Sequence, residues 1–159
     1  MRWLLESPKA SDQKYADNVL KSLSEQDAVV PNLWRPEAGN VVLGAEKRGD
    51  VTIGETEKFI NQLENLPIHV DAMTAHQAFS RTINLARTYK LSSYDASYLE
   101  LAIREGIPIA TLDKSLRKAA KKADVDLFLQ RNWDEVAKEL AAMGKSPNSV
   151  LCTLVIIIL

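Results

Sequence analysis

Gly106-Ile107-Pro108-Ile109-Ala110-Thr111-Leu112-Asp113 is the stretch on which the fold turns. It opens on a glycine, the residue that ends helices in a left-handed turn. It closes on an aspartate, which accepts hydrogen bonds from the free amides at a helix start. Between them runs an apolar segment with the composition of a strand buried on both faces. A helix, a doubly buried strand and a second helix in succession predict an α/β protein with a parallel sheet.

Upstream, a helix from about Tyr94 to Arg104 is apolar on most sides through Ala96, Leu99, Leu101, Ala102 and Ile103, which predicts deep packing; Ser92 or Ser93 is its cap. The helix before it, from near Thr74 to Tyr89, has an expected core stripe of Ala75, Ala78, Phe79, Ile83 and Ala86. Ala28-Val29-Val30-Pro31 and Ile68-His69-Val70 read as short strands. A first helix is capped by Ser11 or Asp12 and turns Ala16, Val19, Leu20 and Leu23 inward. A second has Pro36 in its first turn and Trp34, Ala38, Val41 and Ala45 on one face, and Gly49 ends it. A third, capped by Thr52, runs through Phe59, Ile60 and Leu63. Downstream, Asp113 opens a basic helix, Val125 to Leu129 reads as a last strand and Trp133 to Leu140 as a last helix.

The 159 residues, 46% hydrophobic and 26% charged, suit one globular domain whose apolar core needs no covalent staple. The single cysteine, Cys152, excludes an internal disulfide framework and a cysteine zinc cage, and points to a reducing compartment, the cytoplasm. A net charge of -1 excludes a surface coated in phosphate-binding charge but leaves room for a local basic patch. Met1 to Glu6 lacks the apolar core of a secretory signal. Val150 to Leu159 is almost wholly apolar, about half the ~20 residues that a membrane-spanning helix needs, so no membrane association is expected. An added strand, a partner contact and an aggregation-prone extension all suit its β-branched, uncharged composition. Because Ser146-Pro147-Asn148-Ser149 reads as a break, the expectation is a tail without function.

Three acids stand apart. Asp95 shares a helix face with Leu91, Tyr98, Leu99 and Ala102, so part of its charge is expected to leave water. Asp113 follows a buried strand, at the sheet end where open α/β folds gather ligands. Glu37, with Asn40 a turn further on, lies in a first helical turn after the Ala28 strand and can reach the same rim. Each acid also has an ordinary structural reading, since the helix dipole favours first-turn acids and an aspartate cap contributes about 1 kcal/mol.

Leu91-Ser92-Ser93-Tyr94-Asp95-Ala96-Ser97-Tyr98-Leu99-Glu100-Leu101-Ala102, followed by Pro108-Ile109-Ala110-Thr111-Leu112-Asp113, resembles the PIN domain, and within it the VapC-type toxins of bacterial toxin–antitoxin pairs. The resemblance covers residues 1–129 and leaves 130–159, a helix and the apolar tail, outside. It implies a three-layer α/β/α sandwich around a parallel sheet and metal-dependent endonucleolytic cleavage of RNA. Glu37, Asp95 and Asp113 then match the family's second, third and fourth acidic positions and would hold Mg2+ or Mn2+, with Thr111 as the hydroxyl residue beside them. The resemblance further implies a homodimer and a cognate antitoxin protein. Carboxylates suit such chemistry, being hard oxygen ligands for ions that activate water and stabilise charge on phosphoryl oxygens.

The chain departs from the family at its start. Relatives begin with a strand ending in aspartate, whereas this chain begins inside the helix that follows, so the first strand and first acidic ligand are missing and neither Glu6 nor Asp12 replaces the latter. Either the true start lies upstream, or the chain is a catalytically inactive PIN-like module that binds RNA or a protein partner. Loss of a central strand also predicts exposed sheet edges.

Lys114, Arg117, Lys118, Lys121 and Lys122 put five positive charges beside the acids, as a phosphate track or as a solvated face; Arg81 and Arg87 allow the same two readings. His76 and Ser80 lie four apart without the oxyanion hole and oriented base that a serine nucleophile requires.

Overall fold

A computed structural model describes residues 9–128 and the backbone of residues 153–157. In chain order these form α1 (Ala10–Ser22), β1 (Asp27–Pro31), α2 (Trp34–Arg48), α3 (Ile53–Glu64), β2 (Ile68–Asp71), α4 (Thr74–Gln77), a π-turn (Ala78–Thr82), α5 (Ile83–Tyr89), α6 (Ser93–Glu105), β3 (Ile109–Thr111), α7 (Lys114–Lys122) and β4 (Thr153–Ile157). The described strands form one parallel sheet in the order β2-β1-β4-β3. Gly106 ends α6 in the left-handed conformation, all of β3 is buried and Asp113 caps α7, each as the opening stretch predicts.

The last strand in the sequence is central in space. β4 pairs with β1 through Asp27–Thr153, Ala28–Leu154 and Val29–Val155, and with β3 through Ile109–Val155, Ala110–Ile156 and Thr111–Ile157. Of the readings open for the apolar tail, an added strand is the one that residues 153–157 adopt. Among the described strands, β4 lies between β1 and β3. Parallel strands can be far apart in sequence because each crossover must span the sheet, so chain order carries little information about spatial order.

The strand expected at Val125 to Leu129 reduces, up to Phe128, to one parallel bridge between Leu127 and Ile109; residue 129 lies outside the described residues. Ile109 N–H donates to Asp126 O and Phe128 N–H to Ile109 O. The next carbonyl along that edge of β3, Thr111 O, accepts from Arg117 Nη1 at 3.3 Å. The helix expected at Trp133 to Leu140 and the segment Met1 to Glu6 also lie outside the described residues.

The stripe expected between Thr74 and Tyr89 is displaced. Thr74 and Thr82 are the buried residues there, and Phe79 is 92% exposed. The π-turn at Ala78–Thr82 widens the helix by one residue and shifts its phase, so Ala75 and Phe79 are exposed while Ala78, Ile83 and Ala86 are half-buried. Smaller differences are a start for α1 at Ala10 without a side-chain cap, an outward Leu20, and Val42 rather than Val41 inward on α2.

The main core joins Val19 and Leu23 of α1, Val30, Trp34, Tyr98, Leu99 and Leu101 of α6, Ile109 and Leu116. A second cluster of Ala38, Val42 and Phe59 seals α2 against α3. The turn between those helices is set locally by Gly49 in the left-handed region and by Thr52, which forms a reciprocal capping box with Glu55. Buried charge fixes α6 against the end of β2. Arg104 meets Asp71 at 2.9 Å and Glu100 at 3.2 Å, and Thr74 Oγ1 donates to Asp71. Glu100 is 1% exposed, so its charge depends on Arg104 and on Arg81 at 3.7 Å. Since α6 carries Asp95, this network also positions the candidate site.

Candidate active site

Glu37 lies in the first turn of α2, after β1. Pro36 is tolerated beside it because amides there have no intrahelical acceptor; the first full-turn bond runs from Glu37 N–H to Leu33 O. Asp95 lies at the start of α6, where Ser92 caps the helix. Asp95 N–H donates to Ser92 Oγ at 3.0 Å, and Ser92 Oγ donates in turn to Asp95 Oδ2 at 2.7 Å. This reciprocal pair fixes the aspartate side chain at the helix mouth.

α2 and α6 meet through Tyr98, one turn beyond Asp95. Its hydroxyl donates to Glu37 Oε2 at 2.5 Å, and the residue is fully buried. Burial pushes the Glu37 carboxyl above its ordinary range; the Tyr98 hydrogen bond opposes that rise and the Asp95 charge adds to it. Burial also raises the Tyr98 phenol, as do the hydrogen bond to Glu37 and the charges of Glu37 and Asp95. Glu37 and Asp95, 58 positions apart in the sequence, thus form one half-buried electrostatic unit with Tyr98 between them.

Asp113 and Thr111 stand at the carboxyl end of β3. Asp113 is exposed, and its Oδ1 accepts from Leu116 N–H at 2.7 Å as the cap of α7. Asp113 N–H donates to the hydroxyl of buried Thr111 at 3.1 Å. With β4 between them, the ends of β1 and β3 are about 10 Å apart on the rim. Lys114, Lys118, Lys121 and Lys122 leave this cap as an exposed stripe, while Leu116, Ala119 and Ala120 face the core and Arg117 turns back to β3. Arg81 pairs with buried Glu100 and Arg87 with Asn84, so both have protein partners. Ser80 bonds to Gln77.

Residues 5–122 match the family model of the PIN domain. This chain belongs to the PIN domain family. Neither a search of curated proteins nor one of solved structures finds a match. The matched range contains every acid singled out above, and PIN membership is consistent with nuclease-type chemistry in general.

Of the three acids, the fold couples Glu37 with Asp95 and employs Asp113 as a cap. Among the described residues no group of three His, Cys, Asp or Glu side chains is arranged to hold a metal. In donor type, the Glu37 and Asp95 carboxylates suit a hard divalent ion. Mg2+ is held by one or two carboxylates and takes its other ligands from water and phosphate. The repulsion that helps to raise Glu37 is the interaction such a cation would cancel. Sequence reasoning missed Tyr98 as a member of the site, treating it as core. The available signal was its position three residues after Asp95, on the same helix face.

Proposed function

We propose that this PIN domain is a metal-dependent endoribonuclease of the VapC type, built as a three-layer sandwich around its parallel sheet. The observation that carries the reading is the convergence of Glu37 and Asp95 through Tyr98, two acids brought from separate helices to one half-buried point. Glu37 and Asp95 would hold Mg2+ or Mn2+, with Asp113 and Thr111 on the adjoining rim. When bound, such an ion supplies an acidified water and stabilises charge on a phosphodiester. The protein's own share is orientation: Ser92 holds Asp95, Tyr98 holds Glu37, and the α7 lysines offer phosphate contacts that position an RNA without reading its bases. The same reading carries a homodimer, a small cognate antitoxin covering the acidic pocket, and a cytoplasmic setting.

Cleavage of structured RNA with Mg2+ and with EDTA tests the proposal. Activity is expected with the ion and lost on chelation and in Asp95→Asn; activity indifferent to either change refutes it. A second reading, an inactive module that binds RNA or a protein partner, is favoured by the lack of a three-ligand cluster among the described residues. It predicts RNA binding without cleavage at any Mg2+ concentration.

A further inference from the structure

We propose that Tyr98 is a positioning residue for Glu37, setting the orientation in which the Glu37–Asp95 pair meets a divalent cation; this rests on the metal reading of the site given above. Tyr98 has no exposed surface, and its ring packs in the main core with Leu99, Leu101 and Trp34. A core ring alone would be served by phenylalanine. The hydroxyl instead reaches out of that core to Glu37 Oε2, across the junction of α6 and α2. A glutamate side chain in the first turn of a helix has three rotatable bonds and, unheld, would sample several rotamers. Held from a fixed ring, its carboxylate keeps one arrangement. Asp95 is held comparably by Ser92, so each acid of the pair has a hydroxyl donor on one oxygen. Hydroxyl groups that orient carboxylate ligands in this way alter metal affinity about 10- to 100-fold when removed.

The probe is Mn2+ alone, with its dissociation constant measured by electron paramagnetic resonance on the intact chain. Tyr98→Phe keeps the ring and removes the hydroxyl, and is expected to weaken Mn2+ binding about tenfold or more. It should also shrink the rise in melting temperature that Mn2+ produces. Loss of packing alone would lower the melting temperature equally with and without the ion. Tyr94→Phe is the control; Tyr94 is 59% exposed on the same helix, and its change should leave the affinity unaltered. Wild-type affinity in Tyr98→Phe overturns the positioning role and leaves the metal reading standing. Failure of the wild type to bind Mn2+ overturns both. Should Tyr98→Phe not fold, proton NMR of the wild type gives a second measurement. A protected downfield hydroxyl resonance that shifts on addition of Mg2+ and vanishes in Glu37→Ala supports the role, and a resonance indifferent to both refutes it.

Discussion

Val155 lies in register with Val29 on one side and Ile109 on the other, so replacing it tests whether the last strand in the chain holds the sheet together. Three registered pairs join β4 to β1 and three join it to β3. At about one backbone hydrogen bond per pair and a net 0.5–1.5 kcal/mol for each, the strand contributes roughly 3–9 kcal/mol before any side-chain packing. Domains of this kind are stable by about 5–15 kcal/mol in all, so removing β4 should bring the fold to its threshold. Val155→Pro deletes one N–H and leaves its acceptor in the sheet interior unpaired, at a cost of about 2–4 kcal/mol once the lost bond and the stranded carbonyl are combined. Urea denaturation followed by far-ultraviolet circular dichroism, on the full chain, on Val155→Pro and on a chain ending at residue 146, provides the scale. The proline variant should unfold at clearly lower urea, and the shortened chain should lack a cooperative transition or aggregate through the exposed edges of β1 and β3. Equal midpoints for all three would refute the placement of β4 in the sheet.

Three further outcomes follow from the structure. Arg104→Met should cost about 3–5 kcal/mol by leaving Glu100 charged and buried, and Glu100→Gln in the same chain should restore part of it, as a double-mutant cycle in thermal melts would measure. Glu37→Gln should raise the melting temperature at neutral pH. Burial places the folded-state pKa above the unfolded one, so the penalty of ionisation is absent below the unfolded value near 4.5 and fully present once pH exceeds the folded value. The gain should therefore disappear as pH falls toward 4.5, and a gain constant with pH would refute the assignment. Changing Lys118 and Lys121 together to Ala should weaken RNA binding and reduce the slope of log affinity against log salt by about 1.4, while an unchanged slope would remove α7 from the interface.

Much of the fold was legible because it is written in short range. Gly106, Asp113 and the apolar run between them specify a cap, a strand and a cap whatever surrounds them, and Thr52 with Glu55 does the same for α3. The reading failed where an element's fate depends on a distant partner. Phe79 has the spacing of a core residue, but one inserted residue in the π-turn rotates it into solvent. Val125 to Phe128 has strand composition, yet among the described residues it makes one bridge to β3, Leu127 with Ile109. At the candidate site, the acids could be picked out by their neighbours in sequence. The Tyr98 hydroxyl that bonds to Glu37 was signalled only by its place one turn after Asp95, because a tyrosine among core residues reads as packing until Glu37 is seen in front of it.

Local chemistry alone settles the α/β class and the helix ends at Gly49, Thr52, Gly106 and Asp113, since these depend on residues within a turn or two of one another. Family membership rests on the same linear pattern, across residues 5–122. The order of strands and the pairing of acids arise only in three dimensions. Backbone hydrogen bonding is blind to sequence distance, so an apolar segment at the far end of the chain occupies the centre of the sheet. The meeting of Glu37 with Asp95 likewise depends on two helices being packed against that sheet, a consequence of burial that no stretch of residues contains by itself.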